Sequence, residues 1–302
     1  MPSFPPPFRV GLILTEKCDA SCAHCWFDCG PDNVAVMSRY EAQSYIDEAS
    51  KLSSIEWISL TGGEPMLYPT LVEGLVSYAS RRNLRTELVT NCNWATSPEK
   101  ALDTIQRLKD VGLNILNISA DDFHQATIPF ERVGYVYSAA KRLGIRMVVM
   151  TTLSRSSKLR LGEISKLLGE DIPPPSEADP GRHKAIGVES GFIPVGRGAT
   201  IISREWFLDS SSLYGGCETL LRDIGVKPGG DVLPCCSASV AHPDFNIGSL
   251  NDHSLEELLE KASRRELFMA LRTQGPTGFA PSIEGVYVNK CHLCYETLKT
   301  RL

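Results

Sequence analysis

The chain has no run of lysines and arginines that could form a basic stripe, and its formal net charge is −5. Nucleic acid and anionic membrane surfaces are therefore not expected as partners. The longest apolar run, residues 10–14, is interrupted by Gly11 and is far too short to cross a bilayer. The first residues, Met1-Pro2-Ser3-Phe4 and then Pro5-Pro6-Pro7, lack a basic head and an apolar core. No secretory signal is expected, and the expected location is cytoplasmic. Low-complexity tracts are missing. What remains is a globular composition, 42% hydrophobic and 22% charged over 302 residues, enough for one large domain with a small one or for two ordinary ones.

Cysteine is the residue in excess. There are ten, and disulfides explain them poorly in a reducing compartment. Cys18, Cys22, Cys25 and Cys29 cluster early. Cys217, Cys235, Cys236, Cys291 and Cys294 fall late, with only Cys92 between. Two metal sites in two regions account for this distribution most simply.

Short apolar runs at 9–15, 55–60, 85–90, 114–119, 146–153 and 185–194 alternate with helical periodicity and read as buried strands of a parallel sheet. Ser38 with Glu41 forms a capping box for a helix over 40–53. Ser97-Pro98 opens a helix over 99–110, and Gly144 stops another over 129–143. A shorter helix is predicted over 161–168. A full eightfold barrel takes ~250 residues, so the pattern predicts an α/β fold built on a partial (β/α)6 TIM barrel. Beyond about residue 205 the period ends. Residues 223–226 and 232–235, around Lys227-Pro228-Gly229-Gly230, read as a β-hairpin, and Ser254 with Glu257 caps a helix to about Thr273. The predicted division is 1–204 for the barrel and 205–302 for a small C-terminal α+β module.

Cys18-x3-Cys22-x2-Cys25 directly follows the first strand, in a loop that opens onto the C-terminal face of a parallel barrel. Three thiolates can hold three irons of a cubane and leave the fourth iron open. With His24 or Cys29 as a fourth ligand, the same residues suit structural zinc. The second strand is followed by Thr61-Gly62-Gly63-Glu64-Pro65. Two glycines let the backbone approach a small ligand, and Glu64 offers a carboxylate suited to an amino group.

Together the two motifs resemble the radical S-adenosylmethionine (SAM) superfamily, over most of residues 8–200. The resemblance implies that Cys18, Cys22 and Cys25 bind a [4Fe–4S] cluster whose remaining iron takes the amino and carboxylate groups of SAM, with Gly62, Gly63, Glu64 and Pro65 at the amino group. It implies reductive cleavage of SAM to methionine and a 5′-deoxyadenosyl radical, which removes hydrogen from an inert C–H bond. A flavodoxin- or ferredoxin-type electron donor is the implied partner. Other strand ends are candidates to hold SAM or substrate. Asn91 stands where the family often has Thr-Asn-Gly, although Cys92 replaces the glycine and reads as a small packing residue. Ser119, Asp121 and His124 follow the fourth strand, and one of them is expected at the SAM ribose or carboxylate. Arg197, after the sixth strand, could pair with a carboxylate or lie on the surface. Trp26 and Phe27 read as packing beside the adenine, as shielding for the cluster, or as plain core.

Cys217-x17-Cys235 brackets the hairpin and Cys291-x2-Cys294 lies near the end of the chain. Four thiolates from two distant pairs suit a closed site, either iron–sulfur or zinc. The arrangement resembles the Twitch module, a shortened SPASM domain, and implies one auxiliary cluster. Cys236 is left over. Neighbouring strand residues face opposite sides, so Cys236 could face the barrel mouth and give a hydrogen atom to a substrate radical. It could equally be a spare buried thiol, or the ligand in place of Cys235.

The segments around Cys22, Thr61, residues 118–124 and Pro234-Cys235-Cys236-Ser237 look like the radical SAM peptide epimerases. That resemblance implies an L- to D-inversion with Cys236 as hydrogen donor. Aminoglycoside epimerases, Twitch dehydrogenases and peptide crosslinking enzymes are the competing enzyme readings, and a zinc-stabilised binding module is the non-enzyme one. The substrate expected is a peptide or another small natural product.

Overall fold

The computed structural model describes residues 4–208, 213–237, 241–278 and 285–299. Strands β1 (Arg9–Thr15), β2 (Trp57–Gly62), β3 (Arg85–Thr90), β4 (Ile115–Ser119), β5 (Arg146–Leu153) and β6 (Ala185–Gly191) alternate with helices α1 (Arg39–Ser50), α2 (Pro69–Ser80), α3 (Pro98–Asp110), α4 (Asp122–Gln125), α5 (Phe130–Leu143) and α6 (Leu161–Leu168). Period-two alternation assigns the two faces of each strand. Val10, Leu12 and Leu14 are fully buried on the helix side, as are Ile58, Leu60, Leu88, Leu116, Ile118 and Val149. The helices answer with 3.6-residue stripes: α3 buries Ala101, Thr104, Ile105 and Leu108, and α5 buries Val133, Val136, Tyr137 and Ala140. Each such large aliphatic side chain is worth about 1.5–3 kcal/mol of transfer free energy. The predicted ends hold: Ser38 and Glu41 form the capping box, Ser97 caps α3, and Gly144 closes α5 at φ 74°.

After the sixth strand come β7 (Asp223–Val226), β8 (Asp231–Leu233), β9 (Gly248–Ser249), α7 (Leu255–Ser263), α8 (Glu266–Thr273) and α9 (Lys290–Lys299). The sheet runs β6-β5-β4-β3-β2-β1-β7-β8-β9. Its β1–β6 part is parallel, and β1 pairs with β2 on one side and β7 on the other, both parallel. The predicted hairpin is therefore an extension of the barrel sheet, and the sheet continues across the boundary drawn at 204/205.

Several predicted limits shift, each for a local reason. β2 starts at Trp57 and runs through Gly62, because Thr61 and Gly62 still pair with the end of β1. β8 stops at Leu233 because Pro234 has no N–H to give the ladder, so Cys235 and Cys236 lie just past the strand. The helix expected to run to Thr273 breaks between Arg264, which ends α7, and Arg265, which caps α8. Cys291 and Cys294 sit on α9, a helix the sequence reading left unassigned.

Leu12 lies at the centre of the continuous sheet, paired with Leu60 of β2 and Val226 of β7. Leu12→Ala is expected to cost about 2–5 kcal/mol. Far-UV circular dichroism and thiol-accessibility probes at the late cysteines should lose structure in one shifted transition; two separated transitions would show that the lobes unfold independently.

Candidate active site

The loop after β1 carries the early cysteines and is tied down at both ends. Cys18 N–H donates to Gly30 O at 3.0 Å and Met37 N–H to Leu14 O at 2.8 Å. The turn after β2 presses onto it: Gly63 N–H donates to Thr15 O at 2.7 Å and Glu64 N–H to Lys17 O at 2.9 Å. A Cβ on Gly62 would lie 2.3 Å from Thr15 O, and one on Gly63 would lie 2.1 Å from Lys17 O and 3.1 Å from Cys18 Cβ. The glycines thus allow the two loops to approach each other. Glu64 is likewise turned inward. It is fully buried, with Oε1 accepting from Met66 N–H and Thr90 Oγ1–H, each at 2.9 Å, and Oε2 accepting from Asn91 N–H at 2.7 Å. Burial lifts its pKa to about 7 against those bonds. Its carboxylate locks the β2 turn to the end of β3.

Asn91 extends the lock. Its Nδ2 donates to Asp19 Oδ1 at 2.8 Å and lies 3.8 Å from Cys18 Sγ. Cys92 is fully buried with φ 66°, a thiol filling the place and the backbone conformation of the glycine it replaces.

Arg197 departs from the expected carboxylate pairing. Its Nε donates to Cys22 O at 3.0 Å, its Nη2 to Cys29 O at 2.6 Å and its own N–H to Cys25 O at 3.1 Å. The guanidinium is a clamp on the cysteine loop. Gly196 (φ 58°) allows this, since a Cβ there would sit 2.5 Å from Trp26 O. The electrostatics separate the thiols. Burial pushes Cys18 up to about 11 and Cys22 to about 12. Cys25 is held down by the Cys29 thiol that hydrogen-bonds to it, with Arg197 adding to the effect.

At the end of β4, Ser119 faces inward and is nearly buried. Asp121 caps α4 through His124 N–H at 2.9 Å, and both its oxygens lie 2.9 Å from His124 Nδ1. Burial opposes the Asp121 charge, yet His124 holds it below the usual carboxylate range. His24, which the sequence reading had weighed only as a zinc ligand, joins this group. Its ring lies 4.6 Å from Phe123 and 5.1 Å from His124, centroid to centroid. Potential ligand atoms of His24, Asp121 and His124 all lie within 4.8 Å of one another. The Nδ1 of His24 is buried and meets no partner among the described residues. Only the fold brings His24 to the end of β4.

The late cysteines converge. The Cys235 thiol is raised by burial and then by the charges of Cys291, Cys217 and Cys294, which places all four at one locus. Cys217 N–H donates to Leu271 O at 2.9 Å, Arg272 Nη1 returns a bond to Cys217 O at 2.9 Å, and Lys290 Nζ bonds Gly216 O at 3.1 Å. Trp26, from the early loop, packs with Ile193, Val195, Cys291 and Tyr295 and so joins the two cysteine sets. Cys236 stands apart. Its sulfur lies 3.4 Å from Ile224 O, and a Cβ on Gly11 would meet it at 3.2 Å. It is exposed to solvent on the inner side of β1, although enclosure by protein pushes its pKa to about 12.

Residues 12–161 match the Radical SAM superfamily, and residues 217–295 match SPASM, an iron–sulfur cluster-binding domain. This chain belongs to the radical SAM superfamily. It is 24% identical over 278 residues to the putative peptide biosynthesis protein YydG of Bacillus subtilis, covering 88% of this chain and 81% of that protein. It is 26% identical over 292 residues to the PqqA peptide cyclase of Gluconobacter oxydans, covering 84% of this chain and 76% of that protein. Two solved structures share the fold at 14% identity. One is BtrN in complex with AdoMet and 2-DOIA, at TM-score 0.55 over 89% of each chain. The other is Streptococcus suis SuiB bound to precursor peptide SuiA, at TM-score 0.52 over 88% of this chain and 67% of that one.

The radical SAM domain binds a [4Fe–4S] cluster and SAM, and the SPASM domain binds auxiliary iron–sulfur. The residues present fit both groups. Ten cysteines form no disulfide, and the early three lie close enough for the Cys18 and Cys25 charges to act on Cys22. The orphaned His24 Nδ1 and Gln125 Nε2 are polar groups that a nucleoside can satisfy.

Arg197→Leu should lower iron incorporation at the early site, because two loop carbonyls, those of Cys22 and Cys29, lose an anchor and Cys22 and Cys25 lose a stabilising charge; Arg197→Lys should restore only part of it. Iron and sulfide analysis after anaerobic reconstitution reads this directly. Glu64→Gln should destabilise the protein by about 1–3 kcal/mol, since one amide oxygen cannot answer donors on both sides. Denaturant melts of the two forms measure it.

Proposed function

We propose that this radical SAM protein is an epimerase that inverts a carbon centre of a peptide residue, with Cys236 returning the hydrogen atom. The observation that carries the reading is the separation of Cys236 from its neighbour. Cys235 belongs to the four-cysteine set, whereas Cys236 is solvent-reachable over Gly11 on the inner face of β1. The likeness to YydG and to the PqqA peptide cyclase supports a peptide substrate. Gly62, Gly63, Asn91, Ser119, Asp121 and His124 remain the proposed surroundings of SAM, with the part of Glu64 and Arg197 being to hold the loops. The proposed division into a barrel lobe (1–204) and an auxiliary lobe (205–302) is one of chemistry more than of packing.

When bound, SAM and a reduced cluster would supply a 5′-deoxyadenosyl radical, by one-electron cleavage of the S–C5′ bond with methionine as the leaving group, to take hydrogen from the substrate carbon. Cys236 must hold a neutral S–H to act as the donor. Homolysis of this S–H completes the new C–H bond and leaves sulfur one electron and one proton short. A flavodoxin- or ferredoxin-type donor is the proposed source of the electron. Peptide crosslinking, supported by the likeness to the PqqA peptide cyclase, is the second reading, and it gives Cys236 no donor role.

Cys236→Ala separates the two. The epimerase reading expects 5′-deoxyadenosine formation to persist while D-residue product disappears, assayed with a synthetic peptide that the wild type converts. In heavy water the wild type should place one deuterium at the inverted carbon. Normal D-product from Cys236→Ala, or inverted product without deuterium, would remove Cys236 from the role.

A further inference from the structure

The inner face of the sheet carries a chain of charged groups, half-buried at Arg9 and Asp223 and nearly buried at Glu87, that ends on an unsatisfied acceptor. Arg9 Nε lies 3.3 Å from Asp223 Oδ1, and Arg9 Nη1 donates to Glu87 Oε1 at 2.9 Å. Glu87 Oε2 then accepts from Asn117 Nδ2 at 3.2 Å. Glu87 and Asn117 are both nearly buried, at 7% and 6% exposed. Asn117 Oδ1 is buried and meets no donor among the described residues. The amide cannot turn to relieve this. A carboxylate only accepts, so Nδ2 must face Glu87 and Oδ1 must face away. Leaving such an acceptor unmet is costly, and the cost calls for a partner.

Register shows where that acceptor lies. Gly11, Ser59 and Glu87 form one row across β1, β2 and β3, and the Cys236 sulfur sits over Gly11. Asn117 pairs with Val89, two residues beyond Glu87 toward the strand ends, and shares its face with Ser119. The relay therefore floors the arc from Asp223, beside Cys236, to Asn117. On the far side, Val148, Met150, Ile186 and Val188 share the inner face and are apolar and partly exposed. A peptide residue over this floor has a thiol on one side and a hydrogen-bond acceptor on the other.

We propose that Asn117 Oδ1 accepts a hydrogen bond from a backbone amide N–H of the peptide, at or next to the residue that reacts, and that the Asp223–Arg9–Glu87 relay keeps the acceptor turned toward it. The proposal rests on the peptide reading above. Asn117 is a binding residue, and Arg9 and Glu87 position it.

The test is a coupling experiment on reconstituted holoenzyme with SAM. The probe comes from a library of synthetic linear peptides, the tightest binder being N-methylated at each amide in turn. At one amide, N-methylation should weaken wild-type binding about 3- to 10-fold, the range of one hydrogen bond. Asn117→Ala should weaken the unmodified peptide by a similar factor, and the two changes together should be no worse than either alone. Glu87→Gln, which removes the charge that orients the amide, should show the same loss of coupling and serves if Asn117→Ala fails to load clusters. Equal, additive losses at every amide would overturn the contact and leave water as the acceptor's partner. Failure of wild type to bind any peptide of the library would overturn the contact together with the peptide reading. Because binding and not product is measured, the contact can fail while inversion stands, and the reverse.

Discussion

The site depends on the contact between two loops at the strand ends. The turn after β2 donates two backbone hydrogen bonds to the loop after β1, at Thr15 and Lys17, and only glycine fits at 62 and 63 because any Cβ would enter those carbonyls. Glu64 then ties the same turn to the end of β3 through three bonds. Strand-end loops are otherwise free to move apart, so this contact sets where Cys18 stands relative to the floor of the SAM site. Asn91 and Arg197 brace the loop from β3 and from beyond β6.

Arginine has a parallel part at both cysteine sets. Arg197 binds the carbonyls of Cys22 and Cys29, and Arg272 binds the carbonyl of Cys217. In each case a permanent cation is spent on the backbone beside sulfur ligands. It stiffens the cysteine loop and would offset part of the negative charge that a thiolate-bound cluster brings into a low-dielectric region. Trp26, from the early cysteine loop, packs on the same apolar cluster of Ile193 and Val195 as Cys291 of the late set.

Cys235 and Cys236 part where strand β8 ends. Pro234 ends the ladder, and the two thiols leave the strand in a bend that sends one to the four-cysteine set and one over Gly11. The missing side chain at Gly11 makes room for the second sulfur. Because β7 pairs directly with β1, this thiol belongs to the barrel interior although it lies in the SPASM segment. The polar floor of Arg9, Glu87, Asn117 and Asp223 draws on β1, β3, β4 and β7 in the same way.

Much of this was legible in the sequence. Period-two and 3.6-residue patterns record which faces are apolar, so the six barrel strands and their caps were readable near their true limits. The spacing Cys18-x3-Cys22-x2-Cys25 and the Gly-Gly-Glu-Pro turn marked the site, because ligand spacing and turn chemistry are local. Less legible were the direction of Glu64, the carbonyls that Arg197 holds and the place of His24. A carboxylate or guanidinium carries the same letter whether it faces a ligand or its own backbone. The register of β7 on β1, the convergence of Cys217 and Cys235 with Cys291 and Cys294, and the relay ending at Asn117 were decided by tertiary structure alone, since each brings together residues whose chain separation leaves no periodic trace. The sequence by itself determined which chemistry the cysteines can support; packing decided which sulfur, charge and acceptor face the space where that chemistry occurs.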